Sequence, residues 1–218
     1  MTDAMTATLS EQALRDTMVM LGASLFARGY ATGGAGNLSA KLPDGTLLAT
    51  PTGASLGRLD PARLAKVSMS GEHLAGDRPS KEVAFHLAIY HNNPACQAVV
   101  HLHCTYLTAL SCLEGLDPTN VIRPFTPYYV MRIGQLPLIP YYRPGDVRIG
   151  EELGRRACEG NAFLLANHGP VVLGKDLVDA VNNMEELEET ARLALLLRGQ
   201  PIRYLSESDI NELKRVKP

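Results

Sequence analysis

The sequence predicts a single α/β domain spanning residues 1–218, built on a central sheet of mixed or mostly antiparallel strands flanked by helices. Three observations predict it. Helix-patterned and strand-patterned segments alternate along the chain. Tight turn signatures such as Pro43-Asp44-Gly45 join some strands directly, as antiparallel neighbours allow. No internal repeat, low-complexity tract or linker divides the 218 residues.

Leu9 to Arg28 carries a helical apolar pattern, with Thr8 or Ser10 as N-cap and Gly29 as the stop. The glycine-rich turn Thr32-Gly33-Gly34-Ala35-Gly36-Asn37-Leu38-Ser39 follows. Leu38 to Leu42 and Thr46 to Thr50 read as a hairpin, and Thr50-Pro51-Thr52-Gly53 as a second turn. Ser80-Lys81-Glu82 opens a helix that runs to about Tyr90. Val99 to His103 is a strand and Thr105 to Leu113 a helix. Leu136 to Tyr141 is a strand before the Pro144-Gly145-Asp146 turn. Val147 to Cys158 suits a helix, and Ala162 to Ala166 and Val171 to Leu173 suit strands. Leu177 to Arg198 is a long helix whose apolar stripe suits a subunit contact.

Composition is 45% hydrophobic and 20% charged, ordinary for a soluble globular chain. A formal net charge of −2 gives no basic field to attract nucleic acid, so any anion must be held by a local site. No apolar run is long enough to cross a bilayer, and the first residues lack a signal-peptide pattern. Cys96, Cys104, Cys112 and Cys158 include no Cys-x-x-Cys and sit near apolar, regular segments. They read as reduced core residues of a cytoplasmic protein.

The pattern with most chemical content is Val99-Val100-His101-Leu102-His103. On a strand, His101 and His103 share a face and can reach one metal ion, while Leu102 and Cys104 point away. A catalytic zinc usually has three protein ligands and one open position. His168, in the turn Asn167-His168-Gly169, supplies a third imidazole. Glu82 is the fourth piece, a carboxylate able to ligate or to act as general acid/base. Taken alone, it reads as a first-turn acid favoured by the helix dipole. His73, His86 and His91 lack this arrangement.

Three turns read as an anion cradle: Gly36-Asn37, Thr52-Gly53 and Ser80-Lys81. Glycines let backbone N–H groups approach an anion closely, and a helix start favours phosphate. None has the spacing of a Walker or dinucleotide fingerprint.

Together, Gly36-Asn37-Leu38-Ser39, Thr50-Pro51-Thr52-Gly53, Ser80-Lys81-Glu82, His101-Leu102-His103 and Asn167-His168-Gly169 resemble the class II aldolase family, in its order and approximate spacing. This is the family of the fuculose-phosphate aldolases and ribulose-phosphate epimerases. The resemblance implies one divalent cation per subunit, normally zinc with manganese or cobalt as alternatives, held by His101, His103 and His168. It implies that Glu82 is the catalytic acid/base and approaches the metal. It implies that Asn37, Thr52, Gly53 and Ser80 cradle a substrate phosphate. It also implies a homotetramer with active sites between subunits, and a proton-transferring tyrosine from the neighbour, with Tyr128 and Tyr129 in the right region.

Two departures bear on the reaction. Lys81 stands where the fuculose-phosphate aldolases have a second serine, and no tyrosine follows Tyr204. The segments 50–59, 80–82 and 126–131 are most similar to the 3-oxo-tetronate 4-phosphate decarboxylase branch. That branch implies metal-dependent loss of CO2 through an enediolate to give dihydroxyacetone phosphate. Lys81 would then add charge for the phosphate. The alternative is an aldolase cleaving a phosphorylated ketose, which would pass through the same enediolate. A binding protein keeping only the fold would not be expected to retain three histidines and Glu82.

Overall fold

The computed structural model describes residues 10–216. The eight strands are β1 (Asn37–Lys41), β2 (Leu47–Ala49), β3 (Ala65–Val67), β4 (His73–Ala75), β5 (Ala98–His101), β6 (Leu138–Ile139), β7 (Ala162–Leu165) and β8 (Gly169–Gly174). The helices are α1 (Glu11–Ala27), α2 (Val83–Asn92), α3 (Thr105–Ser111), α4 (Val147–Arg156), α5 (Leu177–Leu196) and α6 (Glu207–Leu213). The strands form one sheet in the order β4-β3-β2-β1-β5-β8-β7-β6. Only β6 and β7 pair in parallel, so the sheet is mixed and mostly antiparallel, as expected.

Apart from the exposed edge strand β4, the sheet is buried on both faces because alternate side chains feed two separate cores. Leu38, Ala40, Val100, Leu102, Leu164 and Val172 join the core that holds Met18, Leu25 and Met184 of α1 and α5. Val99, Phe163, Leu165, Val171 and Leu173 join the core that holds Phe85, Ile89 and Leu153 of α2 and α4. His101 falls on this second face beside Phe85, with ring centroids 5.5 Å apart.

Several boundaries differ from the sequence reading. Ser10 caps α1, accepting from the Ala13 N–H at 3.2 Å; Thr8 and Leu9 lie outside the described residues. The strand expected over 99–103 stops at His101. The expected strand 136–141 shrinks to Leu138–Ile139. Pro137 and Pro140 flank it, and neither has an N–H for the ladder. β3, β4 and α6 were not anticipated. Of the cysteines, Cys96 and Cys104 are buried as expected, but Cys112 and Cys158 are exposed; all four are free thiols. Among the described residues no helix is long and apolar enough to cross a membrane.

Candidate metal centre

The site is assembled where β1, β5, α2 and the β7–β8 turn meet. Antiparallel pairing sets Asn37 opposite His101 at the ends of β1 and β5. Gly36, at φ +83°, lets the chain enter β1 against β5: a Cβ there would lie 2.9 Å from the His101 carbonyl oxygen. Glu82 sits at the start of α2, its own N–H bonded to Ser80 Oγ at 3.3 Å. His168 lies in the β7–β8 turn, which α3 steadies. The Ser111 carbonyl accepts from the Asn167 N–H at 3.0 Å, and Ser111 Oγ from the His168 N–H at 3.2 Å.

Three imidazoles converge. His103 Nε2 lies 3.1 Å from His101 Nε2 and 3.0 Å from His168 Nε2. Glu82 Oε2 is 3.5 Å from His101 Nε2, and Oε1 is 3.6 Å from His168 Nε2. His103 keeps its place on the shared face although the strand has ended. His101 Nδ1 meets the Pro170 carbonyl at 2.8 Å. A carbonyl only accepts, so Nδ1 carries the proton and Nε2 turns a lone pair toward Glu82. A lone pair facing a carboxylate is repulsive unless a cation lies between them. Burial favours the neutral, ligating form and lowers all three histidines, His101 to about 4, against the opposing pull of Glu82. The three nitrogens are placed to hold one metal ion.

Burial pushes the Glu82 carboxyl up, but His101, the Asn37 amide, His168 and His103 outweigh it and hold it below its ordinary value. The shortest contact is Asn37 Nδ2, which donates to Glu82 Oε2 at 2.6 Å. Asn37 Oδ1 is buried and unpartnered.

The predicted anion residues fall into two groups. The Thr52 N–H bonds the Arg78 carbonyl at 2.9 Å, and Ser80 N–H the Thr50 carbonyl at 3.2 Å, so the two turns abut. Yet Thr52 and Gly53 border a cavity of about 480 Å³, whereas Ser80 and Lys81 border another of about 730 Å³ beside Arg78. Asn37 joins neither wall and is engaged with Glu82. Of the two candidate tyrosines, Tyr129 faces inward. It is fully buried in the core, its hydroxyl donating to Asn120 Oδ1 at 2.8 Å, and Asn120 Oδ1 also accepts the Leu136 N–H at 2.9 Å. It packs a single π-helical turn, Tyr129–Ile133, and holds the 120–136 loop. Tyr128 is 61% exposed.

The sequence reading passed over His86. It is wholly buried one turn beyond Glu82, with Nδ1 2.7 Å from Ser39 Oγ. Ser39 Oγ also meets Tyr90 Oη at 2.8 Å, and Tyr90 donates to the Ser39 carbonyl at 3.0 Å. This triplet locks α2 to β1 in the register that brings Glu82 to Asn37. The spacings Asn37/Ser39 and Glu82/His86/Tyr90, two on a strand and four on a helix, were the available signal. Burial and then the neighbouring His101 pull His86 down to about 3. Unfolded, it takes a proton near pH ~6.5. The unfolded chain therefore binds the extra proton first, and stability falls as pH drops from about 6.5 towards 3. His86→Asn is expected to flatten that fall, by on the order of 3 kcal/mol at pH 4. Melting curves of chelator-treated protein across this range check it; an unchanged slope would remove His86 from the account.

Residues 16–195 match the family model described as the Class II Aldolase and Adducin N-terminal domain. The chain belongs to that family. Among class II aldolase relatives, it is 65% identical over 204 residues to the 3-oxo-tetronate 4-phosphate decarboxylase of Escherichia coli (strain K12), covering 94% of this chain and 96% of that one. It is 36% identical over 172 residues to the L-fuculose phosphate aldolase of Methanocaldococcus jannaschii, covering 79% and 90%. The crystal structure of YgbL from Klebsiella pneumoniae superposes with a TM-score of 0.93 at 64% identity, covering 94% of this chain and 99% of that one. The class II aldolase fold expected from the ordered motifs is thus the fold observed.

Proposed function

We propose that this chain is a metal-dependent carboxy-lyase converting 3-oxo-tetronate 4-phosphate into dihydroxyacetone phosphate and CO2, in sugar-acid catabolism. One observation carries this reading over the aldolase alternative. The high identity to a protein named for this reaction runs through nearly the whole chain, while the aldolase relative is much less similar.

The substrate carries a carboxylate at C1, a hydroxyl at C2, a ketone at C3 and a phosphate on C4. Breaking C1–C2 releases CO2 and leaves the bonding pair on C2, delocalised onto the C3 oxygen as an enediolate. Protonation at C2 gives dihydroxyacetone phosphate. His101, His103 and His168 would hold a divalent cation, zinc in this reading. When bound it supplies positive charge for the oxygens on which negative charge develops. Decarboxylation removes no proton, so Glu82 acts after CO2 departs: as the carboxylate it positions a water that protonates C2, or it first takes a proton from solvent and passes it to C2. Asn37 aims the carboxylate. Thr52, Gly53, Ser80 and Lys81 hold the phosphate, Lys81 as a point charge.

We also assign a cytoplasmic homotetramer. The exposed Tyr128 is then the tyrosine available to a neighbouring subunit's site, a role closed to buried Tyr129.

A coupled assay tests the reaction. Purified protein given 3-oxo-tetronate 4-phosphate is expected to release equal amounts of CO2 and dihydroxyacetone phosphate. Chelator should stop turnover and zinc should restore it. Release of an aldehyde from fuculose 1-phosphate, with no CO2 from the acid, would establish the aldolase instead.

A further inference from the structure

The cavity beside the Thr52-Gly53 turn contains groups that the proposed reaction has not yet used. Its wall includes Gly34, Thr52, Gly53, Ser55, Arg58 and Arg63. Gly34 lies so close to the turn that a Cβ on it would sit 2.8 Å from the Gly53 carbonyl oxygen, so backbone rather than side chain forms this edge. A Cβ on Gly53 would meet nothing within 4 Å, so the turn itself faces open space.

The charges along the wall are unequally engaged. Asp77 pairs with Arg63 at 2.6 Å, and Asp60 also faces Arg63 while accepting the Ala62 N–H at 2.9 Å. The Arg58 guanidinium has no hydrogen-bond or ion-pair partner among the described residues. Ser55 is 8% exposed, and its Oγ is buried without a partner. A buried hydroxyl in that state is costly unless a ligand satisfies it. The cavity is also near the chemistry. Gly34 is three residues from Asn37, at most about 11 Å of extended chain, and Asn37 touches Glu82.

We propose that Arg58 is a substrate-recognition residue that, with the Ser55 hydroxyl and the Thr52-Gly53 turn, holds the substrate's phosphate. The identity of the anion rests on the decarboxylase reading; the subsite rests on the cavity. The planar guanidinium offers paired donors to a phosphate.

The test compares wild type with Arg58→Met and Arg58→Lys. Arg58 is exposed, so both variants should fold, which their melting temperatures without ligand will report. Arg58→Met is expected to raise KM for the phosphorylated acid about 10- to 100-fold, with kcat changed by less than about threefold. It should also lose the rise in melting temperature that inorganic phosphate gives the wild type, and Arg58→Lys should recover part of both. If Arg58→Met keeps the wild-type KM and the phosphate-induced rise, the subsite is overturned. A wild type that shows the Arg58-dependent rise but releases no CO2 upholds the subsite and sinks the decarboxylase reading. A wild type that releases CO2, matched by Arg58→Met in both measurements, sinks the subsite alone.

Discussion

His103→Ala is expected to lose bound divalent metal and to lower kcat/KM by at least about 10³-fold, the scale of the several kcal/mol that a catalytic cation contributes. Of the three imidazoles His103 is the one to change first. His101 is fully buried and bonded to Pro170, so its removal would leave a buried hole and an unpaired carbonyl. His103 lies beyond the end of β5 and is exposed, so its loss leaves the strand ladder intact. The circular dichroism spectrum and melting temperature of the chelated protein should therefore match the chelated wild type. Metal analysis of the purified variant should give a stoichiometry near zero against near one for wild type. A His103→Ala protein with full metal content and full turnover would remove the three-imidazole centre from the mechanism. Normal metal content with lost turnover would assign His103 to substrate rather than to metal.

What could be read from the sequence follows the range of the forces involved. The long helices carry an apolar period, β5 and β7 are short apolar runs, and the Pro43-Asp44-Gly45 turn marks β1 and β2 as a hairpin, so these were legible. β3 (Ala65-Lys66-Val67) and β4 (His73-Leu74-Ala75) have three residues each, too few to establish an alternation. The pairing of β1 with β5 rather than only with its hairpin partner is a long-range choice, and it is what sets Asn37 opposite His101. The two strand histidines were legible because their spacing of two is itself the geometry. The third imidazole and Glu82 became specific only through the order of the motifs. His86 was passed over because its burial depends on α2 packing against β1: the spacing Glu82/His86/Tyr90 puts the three on one helix face but does not say what that face meets. Tyr128 and Tyr129 are adjacent in sequence with opposite fates. Packing of the π-helical turn against Asn120 decides which hydroxyl is occupied.

Glu82→Gln is expected to cut kcat about 10²- to 10⁴-fold, the usual contribution of a positioned acid or base, while metal content stays near that of wild type. The substitution keeps the length of the side chain and an oxygen that can still accept from Asn37 Nδ2, so the 2.6 Å contact has a substitute. It removes the titratable oxygen. Three imidazole ligands remain, enough for a cation. The loss should therefore fall on the proton step rather than on metal or substrate binding, giving a lower kcat with little change in KM. Turnover in deuterated water adds a second readout. The wild type should place one deuterium on the carbon that lost CO2, always in the same stereochemical position, because Glu82 or a water it orients addresses one face. In Glu82→Gln the residual product should carry deuterium on both faces, since bulk solvent then supplies the proton. Asn37→Ala, which frees the carboxylate without removing it, should fall between the two in rate and keep most of the stereochemical preference. If Glu82→Gln instead keeps full kcat and one-sided labelling, the proton comes from another group, and exposed Tyr128 is then the first to change.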